Sequence, residues 1–239
     1  LSETLAQYSA LIVMEKIYGQ DQIRRFLKRE LDSYLRARGG ELVEELPLIR
    51  VENQPYIHYR KGSLVMYLLR DQIGEDKVNA ALRRLLAQYA FKGAPYPRSQ
   101  DLVDALRAEA GPEHQQLITD LFEKITLYDV ATKVAKVSKR TDGRYDVALT
   151  VTARKLYADG TGKEREVPLN EPFDLGIFTA EPGKKGFDAG SVLSLKPQML
   201  RSGSQTLHVV VDAPPKFAGA DPYNKRIDRN SDDNVIKVE

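Results

Sequence analysis

Leu127-Tyr128-Asp129-Val130-Ala131-Thr132-Lys133-Val134-Ala135-Lys136 is the stretch of sequence at which the hydrophobic pattern changes. Before it, from Ser2 to Thr126, apolar residues recur at the spacing of amphipathic helices. From this stretch onward, they alternate with polar residues, as in strands that bury one face. The pattern predicts an α+β fold, with a helical domain over residues 1–126 and an antiparallel β-sandwich over residues 127–239.

In the first half, glycines, prolines and capping residues divide the periodic pattern into helices. Ser99, followed by Gln100 and Asp101, is predicted to be the N-cap of the fifth helix. The stretch from Gly40 to Tyr56 contains two prolines and little periodicity, and we predict a loop there. The predicted helices lie near residues 3–18, 20–37, 58–73, 75–91, 99–109 and 113–125.

In the second half, two dipeptides between alternating runs, Asp142-Gly143 and Asp159-Gly160, are predicted to form hairpin turns. Residues 219–234 are polar and are predicted to form an irregular tail. The residues expected on one face of the first two strands are Val130, Thr132, Val134 and Lys136, then Tyr145, Val147, Leu149, Val151 and Ala153. Further strands are predicted near residues 172–180, 191–196, 205–212 and 235–238.

Composition excludes several classes of function. A chain of 239 residues favours two domains. Lys and Arg number 36 against 34 Asp and Glu, so no nucleic-acid partner is expected. The absence of cysteine excludes disulfides, thiolate metal ligands and a cysteine nucleophile. No apolar run approaches the roughly 20 residues that span a bilayer, so we expect this chain to be soluble by itself. Because the first residue is Leu1 and not Met, we expect a segment to precede it.

Common catalytic motifs are missing. The three histidines lie far apart, and the chain contains neither HExxH nor a phosphate-binding glycine loop. The pattern Asp228-x-Asn230-x-Asp232, with Glu239 at the twelfth position, copies a calcium loop in part. Because Asp233 stands where such loops have glycine, we favour a solvated acidic loop.

Two segments carry a resemblance to a known family. Ser2-Glu3, followed by a short apolar stretch, resembles the helix that supplies the third zinc ligand in aminopeptidase N-like (gluzincin) enzymes. Tyr59-Arg60-Lys61-Gly62 resembles the Tyr-x-Lys-Gly motif of the same family, in which the phenol stabilises an oxyanion. Their order and spacing are similar to those of the family. The segments 54–62 and 221–225 resemble most those of bacterial fusions of a transporter permease with an aminopeptidase.

The resemblance implies that the intact protein is a zinc aminopeptidase, with Glu3 as a metal ligand and Tyr59 as the oxyanion donor. It also implies that HExxH, the general base and the site for the substrate amine lie upstream in the same polypeptide. We therefore expect this chain alone to bind no catalytic zinc and to cleave no peptide. The intact protein is expected at the inner membrane, held there by its upstream region. Thr4 and Leu5 depart from the family, which has Gly and an aromatic residue after the glutamate.

Two other functions remain open. A non-enzymatic module could bind peptides, or couple the permease to a partner, without cleaving anything. The β half could also be an independent carbohydrate-binding or adhesion module, and an exposed row of aromatic residues would favour that function.

Overall fold

The computed structural model describes all 239 residues, and it has an α+β fold in which helices precede antiparallel sheets. Every predicted helix is present, with ends displaced by a few residues. Two of them contain π-helical turns, over Tyr56–Lys61 and Thr119–Glu123. The α-helices are α1 Ser2–Tyr18, α2 Ile23–Gly39, α3 Gly62–Ile73, α4 Glu75–Tyr89, α5 Ser99–Ala110 and α6 Gln115–Ile118. No helix is long and apolar enough to cross a membrane.

The start of α5 differs from the prediction. Ser99 is the first helical residue rather than the N-cap, which is Arg98. The carboxylate of Asp101 accepts a hydrogen bond from the backbone N–H of Arg98 at 2.7 Å. The Asp101 carboxylate therefore supplies one half of a capping box around Arg98 rather than around the predicted Ser99, and it also suits the positive end of the helix dipole.

Eight strands form two four-stranded sheets. In one sheet β2 lies between β1 and β3 and also pairs with β6; in the other the order is β5, β4, β7, β8. Side chains from both sheets pack into one buried core, which includes Val147 and Leu149 from β2 and Leu175 and Ile177 from β4. The strands are β1 Ile125–Lys139, β2 Tyr145–Ala158, β3 Glu164–Val167, β4 Asn170–Phe178, β5 Val192–Arg201, β6 Gly203–Val211, β7 Phe217–Ala220 and β8 Val235–Lys237.

Both predicted hairpin turns are present. Gly143 and Gly160 have φ of 86° and 89°, values that glycine adopts without strain. The predicted face of β2 is confirmed, since Val147 to Ala153 are buried at alternate positions. In β1 the prediction fails after Thr132, because Lys133 and Val134 are both exposed and burial resumes at Ala135. The alternation thus shifts by one residue, and Val134 and Lys136 point away from the core.

The tail predicted over residues 219–234 has an irregular backbone from residue 221 onward, as expected, apart from the short 3-10 turn Ser231–Asp233, but much of it is buried. It begins with the end of β7, and all residues from Asp221 to Asp228 are buried. Its charges are buried because they have partners: Lys225 Nζ lies 2.7 Å from Asp174, and Arg226 lies 2.8 Å from Glu171. Asp228 is fully buried as well, so the acidic loop predicted to start there is solvated only beyond it, at Arg229, Asn230 and Asp232.

Contacts between Cα atoms divide the chain into two compact units. One comprises Leu1–Ile12, Asp32–Thr126 and Ala158–Lys163, and the other comprises Val13–Leu31, Leu127–Tyr157 and Glu164–Glu239. The second unit includes a helical segment because that segment is hydrogen-bonded to its loops. Arg24 Nε donates to the Pro222 carbonyl oxygen, and Gln22 Nε2 to that of Phe187, each at 2.9 Å.

Candidate functional site

The first turn of α1 packs against the π-helical turn Tyr56–Lys61 inside the first unit. Thr4 is fully buried, and its hydroxyl donates a hydrogen bond of 2.6 Å to the carbonyl oxygen of His58. Glu3 precedes it on the exposed side of the helix, in the first turn, where a carboxylate suits the helix dipole. The beginning of α1 is therefore fixed to the backbone of the turn that carries Tyr59.

Gly62 makes this close approach possible. A methyl group on Gly62 would overlap the side chain of Thr4. Because Gly62 is the first residue of α3, any larger residue would push α1 away from α3. Glycine is thus needed here for close packing and not for an unusual backbone angle.

The π-helical turn gives Tyr59 its exposure. Such turns are rare, are usually single, and often occur at functional sites. Within this turn Ile57 and Lys61 are buried, while Tyr59 keeps 36% of its surface exposed. The ring of His58 meets the Tyr59 ring edge-on, with 4.9 Å between ring centroids. The turn is therefore anchored by two buried side chains and presents a phenol to solvent.

The structure brings the two predicted site residues together. Glu3 and Tyr59 lie 56 positions apart in the sequence. Hydrogen bonding to the Glu3 carboxylate raises the pKa of the Tyr59 phenol, so the two side chains are neighbours. Tyr59 is therefore a neutral hydroxyl donor at physiological pH, next to a carboxylate.

Beneath the turn lies a buried charge that sequence reasoning missed. Glu45 accepts hydrogen bonds from Tyr34, Arg38 and Lys61. Burial alone would raise the pKa of the Glu45 carboxyl, but Lys61, Tyr34 and Arg38 together hold it below its usual value. The available signal was Lys61 itself, since a lysine at the start of an apolar helix needs a buried anion.

This chain brings no cluster of potential metal ligands together. A catalytic zinc site needs three protein ligands and one open position, and no group of three or more His, Cys, Asp or Glu side chains is arranged to hold a metal. Glu3 could serve as one carboxylate ligand, because its side chain is exposed and lies next to Tyr59. A zinc ion there would need its other protein ligands from outside these residues.

Comparison with known proteins adds no assignment. No protein-family model matches the chain, and no curated protein matches it significantly.

Proposed function

We propose that this chain is the C-terminal part of a zinc aminopeptidase that hydrolyses N-terminal residues from peptides. The observation that supports the proposal is that the Thr4–His58 hydrogen bond joins the first turn of α1 to the π-helical turn, and Glu3 and Tyr59 are neighbours there. These two residues were singled out from separate motifs, and their roles as metal ligand and oxyanion donor require them to be neighbours. A chance pair of solvated side chains has no reason to meet on a π-helical turn.

The part of each residue follows from its chemistry. Zinc, when bound, polarises a carbonyl and activates water. When water attacks the peptide carbonyl, negative charge develops on its oxygen, and a positioned neutral donor stabilises that charge. Tyr59 supplies the donor by turning its hydroxyl from the Glu3 carboxylate to the oxyanion. Glu3 would supply a carboxylate oxygen to the metal. The general base and the site for the substrate amine would lie upstream in the same polypeptide, at the inner membrane.

The experiment compares variants of the intact protein. We expect Tyr59→Phe to lower kcat for an aminoacyl-p-nitroanilide by about 100- to 1000-fold, since it deletes one oxyanion donor. Its zinc content, measured by inductively coupled plasma mass spectrometry, should not change. Glu3→Ala should lose both turnover and zinc, because it removes a ligand. Tyr96→Phe is the control, since Tyr96 is an exposed tyrosine in a loop between helices.

Full activity in Tyr59→Phe would contradict the role of Tyr59. An intact wild-type protein without zinc and without turnover would favour the other function, a non-enzymatic module that binds peptides or couples a permease to a partner. The adhesion-module alternative gains no support from the β half. The exposed large apolar residues there are Val134, Met199 and Val210, and none is aromatic.

A further inference from the structure

The cluster around Glu45 is compact and almost fully buried. Glu45 Oε1 accepts from the Tyr34 hydroxyl at 2.5 Å and from Lys61 Nζ at 3.3 Å, and Oε2 accepts from Arg38 Nε at 2.7 Å. Tyr34, Glu45 and Lys61 expose 0%, 4% and 1% of their surfaces. The carboxylate therefore neutralises a lysine that water hardly reaches.

Glu45 is itself held in place by its neighbours along the loop. Its backbone N–H donates to the Gly160 carbonyl oxygen at 2.9 Å. Gln54 bridges the residues on either side of it, donating to the Glu44 carbonyl oxygen at 2.9 Å and accepting from the Leu46 N–H at 3.2 Å. The carboxylate thus has a fixed position from which it can position other groups.

Both ends of the π-helical turn rest on this cluster. Lys61 is the last residue of the turn and is paired with Glu45. Tyr56 is the first residue, and its ring stacks on that of Tyr34, with 6.0 Å between centroids and 22° between planes. Tyr59 lies between these two anchors. Its place depends on a turn that the cluster holds at each end.

We infer that Glu45 and Lys61 are positioning residues, whose buried ion pair holds the π-helical turn so that the Tyr59 hydroxyl stands beside Glu3. Removing the charge of Glu45 leaves the Lys61 ammonium buried without its carboxylate, which is strongly unfavourable. The turn then gives way, because letting Lys61 reach water requires residues 56–61 to unwind. The catalytic consequence rests on the proposed function, whereas the structural one does not.

The structural consequence is tested in this chain by hydrogen exchange. We expect Glu45→Gln to accelerate exchange of the amides in residues 56–61 by about tenfold or more, since local opening becomes easier. Glu171→Gln is the matched control: Glu171 is also a paired carboxylate, 16% exposed and 2.6 Å from Lys155, but it belongs to the other unit. It should leave exchange in residues 56–61 unchanged.

Two further variants extend the test, and the first keeps it decisive if Glu45→Gln does not fold. Tyr34→Phe removes the hydroxyl that donates a hydrogen bond to Glu45. It should accelerate exchange in residues 56–61 by a smaller factor than Glu45→Gln does. Glu45→Gln combined with Lys61→Met removes both buried charges, and it should exchange more slowly than Glu45→Gln alone, since neutral replacements of buried ion pairs are tolerated. Unchanged exchange at residues 56–61 in a folded Glu45→Gln or Tyr34→Phe variant would overturn the inference.

The catalytic consequence is tested in the intact protein by a double-mutant cycle with Tyr59→Phe. We expect Glu45→Gln to lower kcat on the order of 10- to 100-fold, as a displaced catalytic group does, and to leave KM within about twofold. In the Tyr59→Phe background it should lower kcat no further, because it acts through that phenol. An equal loss in both backgrounds would overturn the positioning role. An inactive wild type would refute the proposed function, and the exchange experiment would still decide whether the ion pair holds the turn.

Discussion

Asp228 is a fully buried carboxylate that the fold holds close to a second one. Its Oδ1 accepts a hydrogen bond from the Asn230 N–H at 3.1 Å. Burial raises the pKa of Asp228 to about 8, and the neighbouring Asp221 adds to the effect. Burial also raises the pKa of Asp221 to about 7. Near neutral pH, each carboxyl therefore titrates inside the folded protein.

These raised pKa values predict how stability depends on pH. An unfolded aspartate titrates near pH 3.9, so between about pH 4 and 8 the folded state binds more protons than the unfolded state. The contribution of Asp228 to stability is present below that window and is lost as pH rises through it. The side chain introduced by Asp228→Asn cannot ionise. As pH rises across the window, we therefore expect the free energy of unfolding of this variant to increase by a few kcal/mol relative to that of the wild type.

The measurement is chemical denaturation of both proteins at several pH values. Asp142→Asn serves as the control: Asp142 is exposed, and the hydrogen bond from Arg144 lowers its pKa to about 2, so its charge does not change in this window. Parallel stability curves for Asp228→Asn and the wild type would show that Asp228 is not protonated in the folded state.

At the scale of elements, the contact between α1 and α3 depends on the absence of a side chain at Gly62. We expect Gly62→Ala to lower the free energy of unfolding by about 1–3 kcal/mol, as overpacking does. The cost should shrink when Thr4 is also replaced by alanine, because Thr4 is the side chain that the methyl overlaps.

A double-mutant cycle measured by denaturation gives the coupling between the two positions. Gly39→Ala is the matched control, since Gly39 ends α2 and has no atom within 4 Å of the added methyl. If Gly62→Ala costs the same in the wild type and in the Thr4→Ala background, the two helices do not meet there.

The helices were predictable because their apolar residues repeat along the sequence and glycines or prolines stop them. The short strands β3 and β7 were not, since four residues give too little alternation to recognise. The burial of residues 221–228 was also missed. Their charges are paired by Asp174 and Glu171, which lie some 50 positions earlier and leave no local signal.

Part of the candidate site could also be predicted from the sequence. Glu3 and Tyr59 belong to motifs with a recognisable spacing, and the structure places them in contact. Glu45 lies in a loop without periodicity, so nothing in the sequence marks it as the partner of Lys61. Motif spacing can single out candidate residues, but partners such as Glu45 that meet only in the folded chain require coordinates.

At the scale of the whole molecule, the contact-based units do not follow the order of the sequence. The longest segment of the first unit, Asp32–Thr126, ends next to the residue at which the hydrophobic pattern changes. However, Ala158–Lys163 also belongs to the first unit, and Val13–Leu31 belongs to the unit that contains the sheets. Side-chain contacts explain this grouping. Gln22 and Arg24 donate hydrogen bonds to the backbone carbonyl oxygens of Phe187 and Pro222. Lys28 Nζ lies 3.2 Å from a carboxylate oxygen of Asp232. Periodicity identifies elements, and it does not report which elements pack together.

The central proposal concerns a metal site that this chain would complete. We expect crystals of the intact protein, grown with zinc and measured at the zinc absorption edge, to show one strong anomalous peak beside Glu3. A Glu3 carboxylate oxygen should lie about 2.0–2.2 Å from the peak, as in other zinc sites with carboxylate ligands. The Tyr59 hydroxyl should face the open coordination position without binding the metal. Ordered zinc that lacks Glu3 as a ligand, or no zinc at all in a folded intact protein, would contradict the proposed function.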